Sequence, residues 1–238
     1  MIRADPQRIA GADGCRGGWI VAAGTETGPI EAHVFMNTRE MLNKLLPGYI
    51  LCVDVPIGLT DEGSRGADKA ARQYLGWPRM TSVFSAPIRP VLEADSWEEA
   101  SAIRREIEGK GMSRQAWGIT PKVREVDHLI RELDPRQEWV REAHPEVSFA
   151  TWAGQSMQYN KKIIAGRRER IDLIDGEFGE KTVAGLWDSV RGQGLSVDDL
   201  IDALAMLWTA GRVESGRTQT LPEQEQRDQF NLRMEIIS

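Results

Sequence analysis

The order of β-prone and helical segments predicts an α/β fold, and three observations carry that expectation. Three short apolar strands and one amphipathic helix lead into a fourth strand, Tyr49 to Val53, whose core Ile50-Leu51-Cys52-Val53 is continuously apolar, as in a strand covered on both faces. Near the other end, Leu200 to Trp208 is apolar on nearly every side, the pattern of a buried helix. Between them lies a long, charge-dense segment that reads as an insertion within one domain spanning residues 1–238.

Ile9 to Asp13 forms the first strand, Gly14-Cys15-Arg16-Gly17-Gly18 a glycine-rich turn, and Trp19 to Ala23 the returning strand of a hairpin. Ile30 to Phe35 alternates Ile30, Ala32 and Val34 with Glu31, His33 and Phe35, which gives a third, half-exposed strand. Asn37 or Thr38 caps a helix with the stripe Met41, Leu42, Leu45 and Leu46, stopped by Pro47-Gly48. After the fourth strand, Val55-Pro56-Ile57-Gly58 ends the run. The insertion, residues 60–134, is rich in arginine, with helical signals at Ala67 to Leu75 and Trp97 to Glu108. Trp139 to Ala143 reads as a short strand ending at His144-Pro145-Glu146, Gly179 to Val190 as a helix, and Val197 to Arg212 as the last helix. The tail from Arg217 reads as polar and partly mobile.

Hydrophobic residues at 41% and charged residues at 28% describe an ordinary globular chain, with no stretch approaching the roughly 20 apolar residues of a membrane span. The first residues lack the apolar core of a secretory signal. Two cysteines, Cys15 and Cys52, exclude a disulfide framework, so a reducing cytoplasm is the expected setting. The net charge of −6 opposes a general affinity for nucleic acid. Locally, however, the run from Lys161 to Arg170 carries five positive charges against one negative, which suits either a phosphate-facing patch or a solvated helix face.

Three acids stand where acids are costly. Asp13 closes the first strand, Asp54 closes the fourth, and Asp202 lies a full turn inside the apolar last helix. A buried ionised carboxylate costs several kcal/mol unless a cation or hydrogen bonds compensate it. Asp198, Asp199 and Asp202 share one helix face, although Ser196 with Asp199 also approximates a capping box. Mg2+ or Mn2+, which prefer oxygen ligands, would satisfy such acids together. A lone Asp at a strand end has a plainer use, capping a turn.

The segments GADGCRGGW (11–19), VDVPIGL (53–59), RGADKAARQYLG (65–76), SVFSAP (82–87), PKVREVD (121–127), HPEVSF (144–149) and DDLIDALA (198–205) resemble the bacterial family catalogued as domain of unknown function 429, predicted ribonuclease H-like nucleases. The resemblance covers roughly residues 9–212. It implies a ribonuclease H-like mixed five-stranded sheet flanked by helices, with the first three strands antiparallel, the fourth beside the first, and a mainly helical insertion after the fourth. It also matches Asp13, Asp54, Asp199 and Asp202 to that superfamily's metal-binding positions, and Asp199-Leu-Ile-Asp202-Ala-Leu-Ala is similar to the acidic helix of bacterial Holliday-junction resolvases.

Such a site would hydrolyse phosphodiester bonds with two Mg2+ or Mn2+ ions. Asp13 would face both ions, Asp54 and Asp202 would complete one shell each, and Asp199 would bind directly or through water. Glu146 is a candidate accessory ligand and His144 a candidate proton shuttle, with a structural turn as the plainer role for His144-Pro145. Glu125 is a weaker candidate, better read as a salt-bridge acid. The expected partner is nucleic acid of unspecified type, no membrane is involved, and a homodimer is left open. Two other readings stand beside the nuclease: a noncatalytic ribonuclease H-like module that binds a protein or nucleic acid, and an actin-like phosphotransferase, against which the chain length argues.

Overall fold

The computed structural model describes residues 8–25, 28–46, 48–132 and 139–238. The glycine-rich turn folds β1 (Arg8–Cys15) back onto β2 (Gly18–Thr25), and β2 pairs antiparallel in turn with β3 (Glu31–Phe35). Asn37 caps α1 (Thr38–Leu45), its side chain accepting from the Glu40 N–H. Pro47, the expected helix stop, lies outside the described residues. β4 (Tyr49–Val53) then enters on the far side of β1 and runs parallel to it.

Between β4 and β5 (Val140–Glu142) come α2 (Gly66–Leu75), two short 3-10 turns (Arg79–Ser82 and Arg89–Glu93), α3 (Trp97–Glu108) and α4 (Arg114–Glu132). The described part of the insertion is therefore helical and without strands, while its expected end at Asp134 lies outside the described residues. The chain closes with α5 (Pro145–Ala153), α6 (Ile164–Phe178), α7 (Thr182–Val190), α8 (Val197–Glu214) and the small pair β6 (Thr220–Leu221) and β7 (Ile236–Ile237). The main sheet has the order β3-β2-β1-β4-β5, with β5 parallel to β4. It is a five-stranded mixed sheet flanked by helices, with the first three strands antiparallel and the fourth beside the first. No helix among the described residues is long and apolar enough to cross a membrane.

Strand alternation sorts the side chains between two layers. Ala10, Ala12, Trp19, Val21, Leu51 and Val53 pack with α1 and α4, whereas Ile9, Ile20, Ala22 and Cys52 pack with α8. Asp13 follows Ile9 and Gly11 on the α8 face, and Asp54 follows Cys52 there. A Cβ on Gly11 would stand 2.0 Å from the Leu207 amide nitrogen and 2.3 Å from the Ala203 carbonyl oxygen, so glycine is what lets α8 lie directly on β1. Gly211 sits over Ile9 and Ala203 over Gly11, so α8 runs against β1 and its first turns reach Asp13.

Two expectations are corrected. His144-Pro145 is a helix start rather than a turn: His144 caps α5 and Pro145 fills the first helical position, where its missing N–H costs nothing. The tail is ordered rather than mobile. Leu221, Leu232, Ile236 and Ile237 are buried, and Ile237 bridges to Ala143 beside β5.

Candidate functional site

The parallel register of β1 and β4 pairs Ala12 with Val53, and the Asp54 N–H continues the ladder by donating to the Ala12 carbonyl at 3.0 Å. That bond sets Asp54 beside Asp13. Both line a cavity of about 550 Å3 at the carboxyl ends of β1, β4 and β5, the place where α/β sheets bind ligands. α8 brings Asp202 from above, buried to 4% exposure.

The electrostatics record this convergence. Burial pushes the Asp13 carboxyl well above its usual range, and the charges of Asp54, Asp202 and Asp199 push it further, against a smaller opposing effect of Lys161. Asp54 is raised chiefly by burial, although its edge reaches the cavity; His144 and Lys161 oppose the shift and Glu146 adds to it. Asp202 is raised to about 6 by burial, with the Lys161 ammonium opposing and Asp54 and Glu146 reinforcing.

Lys161 was read only as part of a basic run, and its role depends on a tertiary contact that the sequence does not display. Its Nζ donates to Asp202 Oδ2 at 2.5 Å. Burial alone would lower its pKa, but Asp202, Asp54 and Asp13 together hold the ammonium above its ordinary value. The other Asp202 oxygen, Oδ1, is buried with no hydrogen-bond partner.

The remaining candidates have structural employment. Asp199 closes a capping box with Ser196, accepting from the Ser196 N–H at 2.7 Å, while its charge still reaches Asp13. Asp198 turns away from the other two helix acids and pairs with Arg167 at 2.8 Å. Glu146 lines the cavity, but both of its oxygens accept from the fully buried Arg170, at 2.6 and 2.8 Å. His144 Nδ1 accepts from the Glu146 N–H at 3.2 Å, which leaves Nε2 to carry the proton, 3.3 Å from the Ser82 carbonyl oxygen. Both ring nitrogens are thus engaged. Glu125 accepts from the Thr38 hydroxyl at 2.6 Å and ties α4 to α1.

The basic run at residues 161–170, read as either a phosphate-facing patch or a solvated helix face, has each of its positive charges paired. Lys161 pairs with Asp202, Lys162 and Arg167 with Asp198, Arg168 with Asp172 and Arg170 with Glu146. Three arginines of the insertion are engaged within the protein as well. Arg65 is buried against Asp68 and Glu142, Arg89 pairs with Asp127 and Asp228, and Arg72 donates to the Val83 carbonyl. Arg79 and Lys122 line the cavity with the half-exposed Phe84, and Lys122 Nζ donates to the Gly18 carbonyl at 2.6 Å.

The donor set suits a hard divalent cation: the available oxygens are carboxylates, one buried oxygen lacks a partner, and an ammonium already sits among them. Among the described residues, no group of three or more His, Cys, Asp or Glu side chains already stands in metal-holding geometry. Binding would therefore require the carboxylates to rotate toward a common ion.

No curated protein and no solved structure is significantly similar to the chain. Over residues 11–227, which contain Asp13, Asp54 and Asp202, it matches the family described as "Protein of unknown function (DUF429)", and with nearly the whole sequence matched, the chain belongs to that family.

Proposed function

We propose that the protein is a Mg2+- or Mn2+-dependent nuclease of ribonuclease H-like fold that hydrolyses phosphodiester bonds at the Asp13, Asp54 and Asp202 site. The observation carrying this reading is that Asp13 and Asp54 of two neighbouring strand ends line one cavity, while Asp202 of the last helix, with an unsatisfied buried oxygen, lies within electrostatic reach of both. The sheet order, and the placement of β4 beside β1, support the ribonuclease H-like assignment. When bound, the metal would supply an activated water and neutralise charge on the leaving oxygen.

The chain's own residues divide the remaining work. Asp13 and Asp54 offer oxygens from neighbouring strand ends, and Asp202 offers its free Oδ1 from the helix. Asp199 adds charge from the first turn of α8. Arg79 and Lys122 line the cavity and would orient a phosphodiester, while Phe84 offers an apolar face to a sugar or base.

Incubation with RNA, DNA, an RNA–DNA hybrid and a four-way junction, each with Mg2+ or Mn2+, tests the reading. Cleavage that disappears in Asp13→Asn is expected. Absence of cleavage on all four substrates, or cleavage retained by Asp13→Asn, overturns it. The pairing of every basic residue in 161–170 favours a second reading, a noncatalytic module that binds a protein partner, and such a module would show neither cleavage nor specific Mn2+ binding.

A further inference from the structure

Lys161 differs from an ordinary surface lysine in how firmly its backbone is placed. It lies in the loop between α5 and α6, and that loop is fastened at several points. The Arg170 guanidinium donates to the Tyr159 carbonyl at 3.2 Å and the Gly166 carbonyl at 2.6 Å. Glu169 accepts from the Gln158 and Tyr159 amides at 2.8 and 3.2 Å. Asn160 accepts from the Lys162 amide through its side chain and from the Ile163 amide through its carbonyl. A Cβ on Gly166 would fall 2.1 Å from the Asn160 carbonyl oxygen, so only glycine lets this loop rest on the first turn of α6.

The loop so placed delivers an ammonium to Asp202 Oδ2 at 2.5 Å, within electrostatic reach of Asp54 and Asp13. The Lys161 side chain is 32% exposed, whereas its neighbour Lys162 is 74% exposed and stands 3.9 Å from Asp198. One lysine is built into the acid site and the other is not. An ammonium is a hard cation that carboxylate oxygens accept much as they accept a metal ion. Here it satisfies one oxygen of a buried aspartate and leaves the other open.

We infer that the Lys161 ammonium stands in for one of the two cations that the two-metal reading calls for, so that the site takes one divalent ion rather than two. The inference rests on the proposed metal-dependent reading and refines it. Asp202 would then serve both, pairing with Lys161 through Oδ2 and leaving Oδ1 for a divalent ion, which Asp13 and Asp54 would help to hold.

Calorimetric titration of the metal-free protein with Mn2+ counts the ions directly, without reference to activity. The wild type is expected to bind one ion per chain, Lys161→Met two, and Lys161→Arg, which keeps the charge, one. Two ions in the wild type, one in Lys161→Met, or two in Lys161→Arg would each overturn the inference while leaving the metal site standing. No binding by the wild type, whatever the variants do, would overturn the metal-dependent reading and this inference with it. If Lys161→Met shows no cooperative melt, the wild-type and Lys161→Arg counts decide the matter alone.

Discussion

Two buried charge clusters line the same cavity, and they are built on opposite plans. In the first, Arg65 stands between Asp68 and Glu142, and every polar atom has a partner. Arg65 Nη2 donates to both acids at 2.6 Å, Nε donates to Asp68 at 3.0 Å, and Nη1 donates to Glu142 and to the carbonyls of Ile57 and Gly58. The Ala86 amide satisfies the remaining Asp68 oxygen, and the Ile57 amide adds a second donor to the Glu142 oxygen that accepts from Nη1. In the second, three buried or half-buried aspartates share one lysine, and Asp202 Oδ1 has no partner. Closed geometry of the first kind fixes a fold, because every polar atom keeps a partner even though burial still pushes the Glu142 carboxyl up to about 7. Open geometry of the second kind leaves a buried oxygen without a partner, and a ligand can supply one.

Breaking the closed cluster should have the largest effect. Arg65→Met leaves Asp68 and Glu142 buried without a cation, and a loss of about 3–5 kcal/mol is expected, read as a large fall in the urea midpoint. A loss under about 1 kcal/mol would mean that the two clusters do not differ as described.

Neutralising the open cluster should act with the opposite sign. The folded-state pKa of Asp202 lies near 6, above its unfolded value of 3.8, so burying its charge costs stability. The group's favourable contribution is fully present below about pH 4 and is lost as pH rises through about 6. In chelator, Asp202→Asn should therefore melt with the wild type near pH 4 and increasingly above it beyond pH 6. The gain is at most about 3 kcal/mol. Melting curves across that pH range decide it, and a variant that melts lower at pH 7.5 would mark Asp202 as a fully compensated structural acid.

The seat of α8 on β1 gives a smaller effect. Gly11→Ala drives a methyl into the helix backbone, and overpacking of this kind costs about 2 kcal/mol. It should also blunt the response to metal, because Asp202 rides on the displaced helix. Thermal melts with and without Mn2+ measure both effects.

The smallest effect is the metal shift itself. At a tenfold excess over Kd, Mn2+ should stabilise the wild type by about 1.4 kcal/mol, or roughly 3 to 5 °C, and Asp202→Asn should lose most of that shift. An equal shift in both proteins would remove Asp202 from the ligand set.

How far the sequence could be read follows the same division. The strands and α8 were legible because continuous apolar runs have few alternatives, and Asp13, Asp54 and Asp202 stood out as acids inside those runs. α4 escaped notice because Gly118 and Pro121 interrupt its pattern, and α5 because Pro145 resembles a turn until His144 is seen to cap it. The ordered tail was missed because Leu221, Leu232 and Ile236 are scattered among polar residues with no period. The partners of Lys161, Arg65 and Glu146 were not legible for a deeper reason. Whether a charged side chain is a free field source or half of a buried pair is decided by partners far away in sequence, and a composition count treats both alike.

The glycine contact between α8 and β1 also orders events in time. Asp13 and Asp54 belong to the first quarter of the chain and can pair their strands while both carboxylates are still hydrated. Asp202 comes from near the opposite end of the chain, and its docking over Gly11 is expected to be the step that buries the acids. The barrier for that docking step accordingly contains the electrostatic cost of the site, so refolding should be slower at pH values where the aspartates are ionised. Lys161, carried on a loop that precedes α8, travels as the counterion for that closure.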